Sequence, residues 1–302
     1  MDNIIDRIKE LKKEKDAVIL AHYYVDGEVK ELADYIGDSY YLSEVAVTVP
    51  QKTIILCGVK FMGESAKILN SGKKVIMANA ASDCPMAHMA DVDKIEEIRK
   101  QYKDIAVVCY INSTAEIKEH ADVCVTSSNA LKIVKALPQK NIYFIPDENL
   151  GRYIKSLVPE KNFILGDGFC HVHTSIKRED IEKARQIHPN AKVLAHPECT
   201  MDVLEIADYI GSTSGIIDYA SKNESEEFII CTEMGILYEL KKNNPNKKFY
   251  SVGHRQFCPN MKLIKVEDVL NALENSDNEI ILDDALILKC NDALAKMLVL
   301  AK

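Results

Sequence analysis

The sequence predicts an α/β fold made of three homologous αβα units, each with three layers and a parallel sheet, set around a pseudo-threefold axis. Two observations carry this. Short β-branched runs alternate with amphipathic helical stretches along the whole chain, the pattern of a parallel sheet with helical crossovers. The chain also repeats itself: Ala21-His22 with its downstream ADYIG block recurs at Ala195-His196, with a weaker copy between them at Tyr110.

The first unit, residues 1–104, opens with the charged amphipathic helix MDNIIDRIKELKKEKD. Its strand-like runs are DAVILAHY, KTIILCGV and KKVIMAN, with helical stretches EVKELADY, GESAKILN and VDKIEEIRKQY. The second, 105–190, has strands DIAVVCYI, NIYFIP and NFILG and helices NLGRYIKSL and REDIEKARQIH. The third, 191–302, has strands KVLAHP, EFIIC and KFYSVG, helices MDVLEIADY and MGILYELKKN, and a C-terminal helix.

Composition narrows the function. With 302 residues, 47% hydrophobic and 28% charged, the chain is an ordinary globular protein rather than a disordered one. Its net charge is −8 and no Lys/Arg-rich block is present, so a nucleic-acid partner is not expected. No apolar run reaches the ~18–20 residues of a membrane span. The N-terminal segment is a charged helix, not a signal peptide, so the expected location is the reducing cytoplasm. Dinucleotide and Walker A glycine motifs are both missing.

The repeat also aligns chemistry. The steps from His22 to Ser39, from Tyr110 to Ser127 and from His196 to Thr213 are equal in length. Gly63, Gly151 and Gly235 are equivalent. Nine cysteines are many, but their odd number and the reducing compartment make a disulfide framework a poor explanation. Most read as small core residues, among them Cys57, Cys109, Cys124, Cys199, Cys231 and Cys290. One per unit does not: Cys84, Cys170 and Cys258 each follow the last strand of their unit. Loops at the ends of parallel strands carry ligands, so the three should meet at the axis, where clustered thiolates call for a metal. Thiolate softness points to an iron–sulfur cluster or to zinc completed by His171 or His173, with no metal at all as the third reading.

A run of further motifs resembles the quinolinate synthase family over almost the whole chain. They are AHYY, GDS at 37–39, FMGESAKIL, DCPMA, YINSTAE, TSSNA, PDENLG, GFCHVH, AHPEC, GSTSG, TEMG and CPNMK. One departure is that some members carry C-x-x-C-x-x-C near the last cysteine, whereas only Cys258 stands here. The resemblance implies one [4Fe–4S] cluster on Cys84, Cys170 and Cys258, with one iron left open as a Lewis acid. It implies condensation of iminoaspartate with dihydroxyacetone phosphate to quinolinate, phosphate and water, within NAD biosynthesis. A transient contact with the enzyme that supplies iminoaspartate follows from the same resemblance.

Such substrates are anionic, yet no arginine falls in the repeat motifs. Hydroxyls and helix N-termini should then hold them, through Ser39, Ser127, Ser128, Ser212 and Thr213, against the plainer reading of these residues as N-caps. His22 and His196 are expected to bind carboxylate or phosphate, with His173 beside Cys170 as a further site residue. Glu198 is the general acid–base candidate, with a pKa that should rise near an anion. Tyr24 and Tyr110 are candidate proton relays and Asn112 an amide partner, while Ile111 and Pro197 lie within the matching motifs. Met62 reads as packing, and His88, His120 and His188 receive no role. Two other classes remain open: a zinc hydrolase on the same cysteines, and a non-catalytic iron–sulfur sensor.

Overall fold

The structure, a computed structural model, describes residues 2–253 and 255–302. It contains three four-stranded sheets in which every pair of neighbouring strands is parallel. The first holds β1 (Ala17–His22), β2 (Tyr35–Gly37), β3 (Thr53–Cys57) and β4 (Lys74–Met77) in the order β2-β1-β3-β4. The second holds β5 (Ile105–Tyr110), β6 (Val123–Val125), β7 (Asn141–Ile145) and β8 (Asn162–Leu165), ordered β6-β5-β7-β8. The third holds β9 (Lys192–Ala195), β10 (Tyr209–Ile210), β11 (Glu227–Cys231) and β12 (Lys248–Ser251), ordered β10-β9-β11-β12. The same order three times is the sequence repeat expressed as topology. Helices cover both faces of each sheet, which is why β1 and β5 are apolar and buried at nearly every position rather than alternating.

Three strands go beyond the sequence expectation. β2, β6 and β10 are very short edge strands inside the repeated Ala-Asp blocks. The helices read over EVKELADY and MDVLEIADY stop after a single turn, at Lys30 and Leu204. The repeated aspartate explains both. Asp34 N–H donates to the Ile19 carbonyl at 2.9 Å, and its carboxylate accepts the Ile19 N–H at 2.8 Å. Asp122 makes the same pair with Val107 (2.9 and 2.7 Å), and Asp208 with Val193 (2.8 and 2.7 Å). A helix that ran through the aspartate would leave that strand N–H without its acceptor, so the chain turns into an edge strand instead. A cation from the preceding helix completes each pin: Lys12 at 2.7 Å, Arg99 at 3.0 Å and Arg185 at 3.1 Å.

The units meet through buried lysines at equivalent positions. Lys30 Nζ donates to the carbonyl of Gly235 in the third unit at 2.9 Å. Lys118, its counterpart in the second unit, reaches the Phe61 carbonyl of the first unit at 3.5 Å. The third copy has Leu204 at this place. The first and second units share one continuous apolar core, and the two faces of the third sheet have cores of their own. The C-terminal helices follow the third unit in sequence but pack elsewhere. Val266–Asn275 lies on the N-terminal helix and β3, and Asp284–Leu300 covers β6 and the helices Lys60–Leu69 and Ala115–Glu119. Among the described residues, no helix is long and apolar enough to cross a membrane.

Candidate active site

The ends of β1, β5 and β9, with the loops that follow them, converge on one cavity. The first unit contributes His22, Tyr24, Asp38, Ser39 and Cys84 to its wall; the second Tyr110, Asn112, Thr126, Ser127, Cys170 and His173; the third His196, Glu198, Thr213, Glu233 and Cys258. Val59, Phe61, Val172 and Met261 supply the apolar part. Among the expected residues, Ile111, Ser128, His171, Pro197 and Ser212 do not line it, and Ser128 Oγ pairs instead with Thr126 Oγ1 at 2.7 Å. The Ile111 N–H is spent on the Val125 carbonyl at 2.8 Å, and Ser212 Oγ caps its helix by accepting the Gly215 N–H at 3.2 Å. No lysine or arginine is among the described lining residues.

The three equally spaced hydroxyls all reach the cavity. In two copies the N-cap is the residue before them: Asp38 accepts from Tyr41 N, and Ser212 from Gly215 N. Ser39 and Thr213 are thereby relieved of capping. Ser127 lies in the turn ahead of the helix Ala130–Ala136, and its Oγ sits 3.1 Å from His196 Nε2.

The two repeated histidines are held alike. His22 Nδ1 accepts the Tyr24 N–H at 3.2 Å, and His196 Nδ1 accepts the Glu198 N–H at 3.3 Å. An accepting Nδ1 places the proton on Nε2. Burial, with nearby Lys30 for His22 and His173 for His196, lowers both from 6.5 to about 3, so both imidazoles are neutral.

A hydrogen-bond chain then crosses all three units. The Tyr110 hydroxyl donates to Glu198 Oε1. Glu198 Oε2 lies 2.7 Å from His173 Nδ1, which is also 3.2 Å from Cys170 Sγ. His173 Nε2 pairs with Thr232 Oγ1 at 2.9 Å, Thr232 with the Tyr24 hydroxyl at 3.0 Å, and Tyr24 with Thr213 Oγ1 at 2.8 Å. Burial alone would raise the Glu198 pKa, but the neighbouring imidazoles of His173 and His196 and the hydrogen bonds from His173 and Tyr110 outweigh it and hold the carboxyl below its ordinary range. The shift set by the protein's own groups is therefore opposite to the rise expected beside an anion. Burial lifts both tyrosines well above 10, so Tyr24 and Tyr110 keep their protons. The Asn112 side chain has a buried amide oxygen with no hydrogen-bond partner, a group left for a ligand.

Cys84, Cys170 and Cys258 come to the same cavity, and each precedes a short turn that aims backbone N–H groups at its sulfur: Met86 and Ala87, His173, and Asn260 and Met261. Burial raises all three thiols, Cys84 to about 12. They need a cationic centre to become thiolates. Among the described residues, Cys170, His173 and Glu198 bring ligand atoms within 4.8 Å of one another, a set compatible with one metal ion. The remaining cysteines are buried free thiols away from the cavity. Sequence reasoning passed over Asp38, Thr126, Thr232 and Glu233. Thr232 and Glu233 belong to the TEMG motif, the one signal that pointed at them.

Fold and site define a class: a three-unit α/β protein whose strand ends enclose a cavity with three thiols and a metal-compatible side-chain set. The family model for quinolinate synthetase A protein matches residues 6–299. The chain is 53% identical to the quinolinate synthase of Fusobacterium nucleatum subsp. nucleatum, over 98% of this chain and 99% of that one. It is 49% identical to that of Clostridioides difficile (98% and 97% covered) and 50% identical to that of Caldicellulosiruptor bescii (97% of each). The chain belongs to the quinolinate synthase family of enzymes.

Proposed function

We propose that this protein condenses iminoaspartate with dihydroxyacetone phosphate to quinolinate, releasing phosphate and water, as a step of NAD biosynthesis in the cytoplasm. In this reading Cys84, Cys170 and Cys258 hold one [4Fe–4S] cluster. The observation that carries it is that one cysteine from each unit lines the same cavity, a set of three thiols that suits an iron–sulfur cluster. The nine free thiols suit a reducing compartment. When bound, the cluster would supply an iron without a protein ligand that polarises substrate oxygens.

The protein's own groups do the rest. His22 and His196 present neutral Nε2–H donors, and Ser39, Ser127 and Thr213 add hydroxyls, so carboxylates and phosphate are held without lysine or arginine. Asn112 completes the set with its unpartnered amide. Glu198, kept ionised by Tyr110 and His173, takes protons from substrate carbon or nitrogen. Tyr110 and Tyr24, kept protonated, return protons to leaving oxygens, and the chain through His173 and Thr232 connects the two ends of the cavity. The test is direct: anaerobically prepared protein, given both substrates, should release quinolinate and phosphate in equal amounts. Phosphate release without quinolinate would refute the reaction.

A second reading has one observation behind it. Cys170, His173 and Glu198 fit a single zinc ion, as a zinc hydrolase would require. Protein carrying one zinc and no sulfide, active on an ester or amide, would favour it.

A further inference from the structure

We propose that Glu233 is a positioning residue for Cys258: its carboxylate clamps the Cys258 amide and, through Lys262, ties that cysteine to the backbone of Tyr24. Glu233 is fully buried and has no role in the proton chain described above. Oε1 accepts the Cys258 N–H at 3.1 Å, and Oε2 accepts the Gly235 N–H at 2.5 Å. Lys262 Nζ stands 3.5 Å from Oε1 and donates to the Tyr24 carbonyl at 2.7 Å. One carboxylate therefore links the cysteine of the third unit to the tyrosine segment of the first.

The clamp is tight. A Cβ at Gly235 would lie 2.7 Å from Glu233 Oε2 and 2.7 Å from Tyr24 Cα, so only glycine lets the two segments close on the carboxylate. The need for a clamp is local. Cys84 and Cys170 each stand immediately before a short helical turn, Pro85–His88 and His171–Thr174, whereas Cys258 is set off from its own, Met261–Leu263, by the turn at 259–260. Residues 255–260 form neither helix nor strand. Gln256, also buried, holds the same segment by donating to the carbonyls of Ile230 (2.7 Å) and Thr232 (2.9 Å). Glu233 acts further on, at the ligand itself. A carboxylate can accept from both amides and the ammonium at once; a glutamine amide offers one acceptor oxygen for two amide donors.

The inference rests on Cys258 being a cluster ligand only for its consequence, since the clamp is measurable on metal-free protein. In reduced, metal-free protein, per-residue iodoacetamide labelling of Glu233→Gln should rise about tenfold at Cys258, as expected for loss of one charge-assisted hydrogen bond, and stay within about twofold at Cys84 and Cys170. Lys262→Gln should raise labelling of the same thiol alone, by less. In the wild type, hydrogen exchange should show the Cys258 amide protected, a measurement that stands even if the variants fold poorly. After anaerobic reconstitution, Glu233→Gln should hold fewer irons than wild type. Unchanged Cys258 labelling, an equal rise at all three thiols, or an unprotected Cys258 amide would overturn the clamp. Variants that show the labelling pattern beside a wild type that takes up no cluster would instead overturn the functional reading and leave the clamp standing.

Discussion

His22 of the first unit and His196 of the third receive the same hydrogen bond: each Nδ1 accepts the backbone N–H of the next residue but one, at 3.2 and 3.3 Å. The repeat has thus preserved a tautomer as well as a residue. Both rings carry the proton on Nε2, that of His196 directed at Ser127 Oγ at 3.1 Å, and burial holds both neutral down to about pH 3.

This gives a pH prediction with a definite sign. Each imidazole has a folded pKa of about 3 against 6.5 in the unfolded chain. As pH falls below 6.5 the unfolded chain takes up protons that the native state refuses. Stability present above that unfolded value should therefore decline towards pH 3, by up to about 1.4 kcal/mol per pH unit for each histidine. Urea unfolding of His22→Gln and His196→Gln, followed from neutral pH to about two pH units below it, should show a shallower decline than wild type.

Glu198 and Tyr110 form the other inter-unit pair of consequence. If Glu198 moves protons, Glu198→Gln should retain the cluster and keep substrate affinity within about tenfold while losing roughly 10²–10⁴ in turnover. Tyr24→Phe should behave similarly, since one hydroxyl is removed from the chain. His196→Ala should weaken binding more than turnover. Steady-state kinetics on cluster-replete variants, with iron counts for each, separates these outcomes. Wild-type turnover in Glu198→Gln would remove it from the mechanism.

The aspartate pins make a purely structural prediction. Asp208→Ala strips the acceptor from the Val193 N–H near the edge of the third sheet. It should cost about 1–3 kcal/mol, as for a buried donor left unpaired. The salt bridge to Arg185 is half-exposed and should add little, so Arg185→Gln should cost under about 1 kcal/mol. Chemical denaturation of the two variants checks the ranking.

How much of this was readable beforehand depends on range. Cys84, Cys170 and Cys258 were readable because a repeat turns sequence spacing into spatial position: each stands just beyond the last strand of its unit. The same logic found His22, His196 and the three hydroxyls. β2, β6 and β10 were not readable, since strands so short cannot show a period. Ile111 and Pro197 are expected from motif membership and Ser212 as a hydroxyl at a helix start, yet chain neighbours of a site residue face other ways at strand and helix ends. Thr232 and Glu233 gain their meaning from Tyr24 and Lys262, partners in other segments of the chain, and no local pattern records such pairs. The packing of the C-terminal helices on the first two units is of the same kind.

The central claim is that three cysteines from three repeats hold one cluster, and metal content tests it most directly. Wild-type protein prepared without oxygen should carry about four irons and four sulfides per chain, with the visible absorption and EPR signals of a [4Fe–4S] centre. Cys84→Ser, Cys170→Ser and Cys258→Ser should each lose them, while Cys109→Ser and Cys290→Ser keep them. A Cys258→Ser protein with full iron and sulfide and an unchanged spectrum, or a wild type holding one zinc and no sulfide, would contradict the account.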